Sequence, residues 1–117
     1  MQRIMCRAKI HQAKVTEVNL KYIGSLSVDG GLLKVANIEE YERVQVLNLQ
    51  NGERFETYVM KAPPGSGTIC LNGAAARLGH VGDELIIIAY SLVEEEKVKG
   101  FKPKIVFVDE KNQIVRT

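Results

Sequence analysis

The chain has 117 residues, 45 % hydrophobic and 26 % charged, with a formal net charge of +2. One domain on one core fits that size, and so small a charge, with no Lys/Arg cluster and no tryptophan, argues against a nucleic-acid partner. No apolar run approaches the roughly 20 residues that cross a bilayer, and Arg3, Arg7 and Lys9 interrupt the N-terminal region where a secretory signal would need an apolar stretch, so a cytoplasmic location is expected and no membrane partner.

Strand patterns dominate the chain order. Residues 1–18 alternate loosely through Ile4, Cys6, Ala8 and Ile10, as one long strand or two short ones. Gly31 to Asn37 can form about two helical turns. Arg43 to Leu49 reads as a strand with an irregularity near its end, where Val44 and Val46 give way to Leu47 and Leu49. Asn51-Gly52 is a strong hairpin signal, and Glu53 to Met60 is the returning strand. Pro63-Pro64-Gly65-Ser66-Gly67 is a loop by composition, and Thr68 to Leu71 a short strand. Asn72 can cap a helix over Gly73 to Leu78, which Gly79 can end. Leu85 to Tyr90 reads as a buried strand, Val93 to Lys99 as a solvated turn or helical stretch, Lys104 to Val108 as a strand, and Asn112 to Thr117 as a fraying end. The run helix, turn, strand from Gly31 is echoed from Gly73, at an offset of roughly 41 to 42 residues. Two interlocked strand-helix-strand copies would close a small barrel and remove its sheet edges.

Several segments could carry chemistry. In Tyr22-Ile23-Gly24-Ser25 a hydroxyl follows a glycine carbonyl. In a strained turn the Ser25 oxygen can attack that carbonyl and convert amide to ester, although nearly every Gly-Ser is a plain turn. In Arg54-Phe55-Glu56-Thr57-Tyr58, strand alternation puts Arg54, Glu56 and Tyr58 on one face and Thr57 on the other. Arg54 offers a fork for a carboxylate and Tyr58 a phenol that can donate a proton, but charged strand faces are normally just solvated. Asn72-Gly73-Ala74-Ala75-Ala76 is a helix start with uncovered N–H groups, suited to an anion, or simply a cap followed by small packing residues. Lys9 and His11 share a strand face, where Lys9 could pair with a carboxylate and His11 could hydrogen-bond or titrate. Cys6 and Cys70 sit among apolar neighbours and read as buried free thiols. Neither histidine falls at ligand spacing with them, so no metal is expected.

In order and content together, Lys9-Ile10-His11, Lys14-Val15-Thr16, Tyr22-Ile23-Gly24-Ser25, Asn51-Gly52-Glu53-Arg54-Phe55-Glu56-Thr57-Tyr58, Asn72-Gly73-Ala74-Ala75-Ala76 and Val81-Gly82-Asp83 resemble the bacterial aspartate 1-decarboxylase family. The resemblance runs from the first residue to about Pro103 without a large gap. It implies a mainly β fold, a small closed six-stranded double-psi β-barrel with short helices. It implies a homotetramer with sites at subunit boundaries. It also implies self-cleavage of the single domain between Gly24 and Ser25, giving chains 1–24 and 25–117. Ser25 then becomes a pyruvoyl group, a covalent cofactor that takes the amine of L-aspartate as a Schiff base, and the products are β-alanine and carbon dioxide, for pantothenate and coenzyme A synthesis.

Residue by residue, the resemblance makes Tyr58 the proton donor and Thr57 a substrate contact that also aids cleavage. It makes Gly73, Ala74 and Ala75 the substrate-binding helix start, Arg54 and Lys9 carboxylate partners, and Tyr22, His11 and Asn72 supporting pocket residues. Leu47 stands where some members place an aromatic near the pocket, and the sequence ends at Thr117 without the tail that some carry. A rival reading is a non-catalytic double-psi barrel that serves as a binding module, and a second rival keeps the catalyst but takes glutamate.

Overall fold

In the computed structural model, which describes residues 1–117, the elements run β1 (Gln2–Lys14), β2 (Glu17–Asn19), β3 (Ser25–Asp29), α1 (Gly30–Ala36), β4 (Arg43–Asn48) and β5 (Arg54–Ala62). They continue as β6 (Ile69–Asn72), a 3-10 helix (Gly73–Leu78), β7 (Glu84–Glu94), α2 (Glu95–Val98), β8 (Lys104–Val108) and β9 (Ile114–Arg116). The mainly β architecture with short helices matches the sequence reading. The hydrogen-bonded order is β2-β6-β3-β5-β4-β7-β1-β8-β9, nine strands with open ends, where six closed strands were expected. Two of the extra strands, β8 and β9, lie outside β1, which pairs antiparallel with β7 and, from Ala8 to His11, parallel with β8, and β2 lies at the other end, beside β6.

Strand alternation supplies the core. Leu26 and Val28, Val44 and Val46, Ile69 and Leu71, Leu85 and Ile87, and Ala8 and Ile10 all turn inward and join one cluster of 20 buried residues with Leu32, Leu33 and Ala36 of α1. The expected irregularity at the end of β4 is absent. Alternation continues to Asn48, which is buried while Leu49 is exposed. The inward amide is tolerated because its Nδ2 donates to Leu78 O at 3.1 Å and Asp83 Oδ2 at 2.9 Å.

α1 begins on Asp29, whose Oδ1 accepts from the N–H of Gly31 at 2.7 Å, and ends on Asn37 in the left-handed region. The second helical segment is a 3-10 turn that Asn72 does not cap with its side chain and that Gly79 leaves in extended backbone. Even so, α1 between β3 and β4 and the 3-10 helix between β6 and β7 repeat one layout, as the sequence echo suggested. The C-terminal residues expected to fray instead form β9, paired antiparallel with β8.

Candidate active site

β3 starts at Ser25, between β6 and β5. Ser25 lies opposite Asn72, and the next residue, Leu26, lies beside Val59. These pairings bring three distant segments to one cavity of about 270 Å³. Gly24, Ser25, Phe55, Glu56, Thr57, Tyr58, Asn72, Ala74, Ala75 and Leu78 line it.

Ser25 is unusual in three respects. It is 3 % exposed. Its φ is +117°, a region that side chains with a Cβ rarely enter. Its hydroxyl has no hydrogen-bond partner. Such backbone costs about 1–3 kcal/mol, and an unpaired buried hydroxyl about 1–3 kcal/mol more. The conformational freedom of glycine is used at Gly73 rather than at Gly24. There φ is +62°, and a Cβ would come within 2.8 Å of Gly24 Cα and 3.3 Å of Tyr22 O. A Cβ on Gly24 would meet nothing within 4 Å.

Thr57 and Tyr58 both border the cavity, although alternation puts them on opposite faces. β5 changes partner at this point. It pairs with β4 through Tyr58 and with β3 from Val59, so consecutive side chains reach one space. The Tyr58 ring lies 6.4 Å from that of Tyr41. Asn72 is 2 % exposed, and its Nδ2 donates to Ser27 Oγ at 2.8 Å. Phe55, Glu56 and Leu78 are wall residues that sequence reasoning passed over. Glu56 is paired with Arg43 at 2.7 Å, and only its place inside the quoted run could have flagged it.

Other candidates lie elsewhere. Arg54 is exposed, and its Nη1 donates to Gln45 Oε1 at 3.1 Å. Leu47 sits across from it on β4. Lys9 and His11 are on β1, separated from β5 by β4 and β7. The His11 ring meets Phe107 edge-on at 5.5 Å. Tyr22 is 51 % exposed and touches the site through its backbone at Gly73. Within one chain, then, Ser25, Thr57, Tyr58, Asn72, Ala74 and Ala75 converge, while Lys9, His11 and Arg54 do not.

A family model described as aspartate decarboxylase matches residues 1–115. An aspartate 1-decarboxylase of Caldicellulosiruptor bescii is 61 % identical over 110 residues, covering 94 % of this chain and 86 % of its own. Another, from Thermoanaerobacter pseudethanolicus, is 54 % identical over 115 residues, 98 % of each chain. A third, from Acetivibrio thermocellus, is 57 % identical over 111 residues, 95 % of this chain and 88 % of its own. With the match spanning every segment that lines the cavity, this chain belongs to the aspartate decarboxylase family.

Proposed function

We propose that the chain is the precursor of a pyruvoyl-dependent aspartate 1-decarboxylase, activated by its own cleavage between Gly24 and Ser25. The observation that carries this reading is the state of Ser25: buried, at φ +117°, with a free hydroxyl next to the carbonyl of Gly24. The Ser25 oxygen adds to the Gly24 carbonyl carbon and the peptide C–N bond breaks. An ester forms, and the hydroxyl proton passes to the freed amine. The strained φ favours this exchange because the peptide link that enforces it is removed. Loss of the Ser25 α-proton with rupture of the Cβ–Oγ bond then releases residues 1–24 as a carboxylate and leaves a dehydroalanine. Water displaces its nitrogen as ammonia, and a ketone remains at the head of residues 25–117.

The residues present fit such a group. It would stand at the cavity wall, where no side chain competes for the Ser25 oxygen. A pyruvoyl ketone supplies an electrophile for the amine of L-aspartate and an electron sink as carbon dioxide leaves. This chain's residues supply position and protons. Tyr58 donates a proton to the carbon that lost carbon dioxide. Thr57 contacts the substrate and assists cleavage, and the N–H groups of Gly73 to Ala75 hold its polar end. Arg54 pairs with the carboxylate that stays, and Lys9 with a carboxylate as well. Asn72, Tyr22 and His11 support the pocket. Because Lys9, His11 and Arg54 lie outside the cavity of their own chain, they complete the site of a neighbour in a homotetramer. The β-alanine produced feeds pantothenate and coenzyme A synthesis, and a cytoplasmic location belongs to the same reading.

The six-stranded double-psi closure is part of this proposal. Val15 N donates to Asp83 O at 2.9 Å and Thr16 N to Ile69 O at 2.8 Å, bridging the gap between β1 and β2. Counted as one strand, β1 and β2 meet β7 along one half and β6 along the other, and a six-stranded ring β1/β2-β6-β3-β5-β4-β7 would close through them. The functional test is incubation of purified protein with aspartate and, separately, glutamate. β-Alanine and carbon dioxide from aspartate, and none from a Ser25→Ala variant that stays whole, are the expected results. Activity retained in Ser25→Ala would overturn the reading.

A further inference from the structure

The antiparallel pair β3/β6 sets Ser25 opposite Asn72 and Ser27 opposite Cys70. Leu26, Val28, Ile69 and Leu71 fill the core from one face, so these four residues share the other. That face is nevertheless mostly covered: Ser25 is 3 %, Cys70 5 % and Asn72 2 % exposed, and Ser27 is half-buried. The Asn72 carboxamide is held at both ends. Its Nδ2 donates to Ser27 Oγ at 2.8 Å, and its Oδ1 accepts from Cys70 Sγ at 3.1 Å. An asparagine side chain is nearly symmetric in shape, so its partners decide which way round it sits. A thiol donates better than it accepts, and so selects the oxygen. Burial, and secondarily the charge of Glu17, push the Cys70 thiol up and keep its proton in place. One N–H of Asn72 is then left without a protein partner, across the ladder from the equally unpartnered hydroxyl of Ser25.

We propose that Cys70 and Ser27 are positioning residues for maturation: they lock the Asn72 carboxamide so that a free N–H is presented to the Gly24–Ser25 bond as it rearranges. The inference rests on the cleavage proposed above and adds the residues that time it. Neither touches the reacting atoms; both act through Asn72.

The test follows cleavage of freshly purified precursor by denaturing mass spectrometry for the unaltered chain, Cys70→Val, Cys70→Ser and Ser27→Ala. Melting temperatures are compared for the same changes in a Ser25→Ala background that cannot cleave. Cys70→Val keeps the bulk and loses the donor, while Cys70→Ser keeps a donor. Cys70→Val and Ser27→Ala should each slow cleavage roughly tenfold, the worth of one buried hydrogen bond, and Cys70→Ser should restore the unaltered rate. Both changes together should slow it little more than either one, since both release the same amide. Cleavage by Cys70→Val at the unaltered rate, or Cys70→Ser as slow as Cys70→Val, overturns the proposal, as does a slowing that merely tracks melting temperature. An unaltered chain that stays whole is a different result, which removes the cleavage reading itself and this inference with it.

Discussion

α1 and the 3-10 helix occupy corresponding places, each following one strand and leading to the next, yet the fold treats their starts differently. At α1 both oxygens of the buried capping side chain are answered. Asp29 is 3 % exposed, and its carboxylate accepts from the N–H groups of Gly31, Gly65 and Gly67 at 2.7, 3.0 and 2.9 Å. At the 3-10 helix the side chain of Asn72 turns to Ser27 and Cys70 rather than capping, and the buried Ser25 oxygen beside it is left unpaired. Gly73 packs onto the backbone of Gly24 with no room for a Cβ. One copy of the layout spends its polar groups on holding a loop. The other leaves the Ser25 oxygen unsatisfied, and an unsatisfied group is one still able to react.

That contrast predicts which changes should separate chemistry from stability. The largest effect is expected from Tyr58→Phe, on the catalytic side. Cleavage should survive while turnover falls on the order of 10²- to 10⁴-fold, the usual worth of a positioned proton donor. Mass spectrometry and a β-alanine assay on one sample read both. Gly73→Ala should slow cleavage roughly tenfold or more, because the new methyl meets Gly24 Cα and φ stays positive. A normally cleaving Gly73→Ala would blur the contrast. Asp29→Ala is the mirror experiment. It strands three N–H groups and should cost about 2–4 kcal/mol of stability by denaturant melts, while the surviving folded protein still cleaves.

The smallest effect is expected from Asp83→Asn and depends on pH. The amide of Asn48 holds the Asp83 carboxyl below its ordinary value of 3.8, with the N–H of His80 acting in the same sense. A carboxyl whose folded pKa is lowered adds stability that is complete above that ordinary value and is lost as pH falls below it. The melting temperature of Asp83→Asn should therefore lie below that of the unaltered chain at neutral pH, and the gap should close in acid.

Much of this was legible from local pattern. Alternation found most strands, and Asn51-Gly52 marked a real turn, with Gly52 at φ +76°. The strand β3 went unread because it is only five residues long, with Leu26 and Val28 as its sole apolar pair, and opens on the serine that drew attention for its chemistry. The inward turn of Asn48 was invisible because its partners, Leu78 and Asp83, lie some thirty residues away. Similarly, the Gly-Ser dipeptide suggested a strained turn without saying which residue carries the strain, and the positive φ falls on the serine, paired with Asn72 in the sheet. The resemblance named candidate site residues, but it could not say which share a cavity within one chain. Strand order decides that, and it leaves Lys9 and His11 on the far side of β4 and β7.

The proposed activity of this chain requires that the bond between Gly24 and Ser25 break and leave a ketone. Denaturing mass spectrometry of purified protein, with and without borohydride, reads both events in one experiment. Two fragments are expected, one ending at Gly24 and the other starting at position 25, blocked to amine reagents and heavier after reduction. An active protein that remains one unbroken chain with no reducible carbonyl would contradict the proposal.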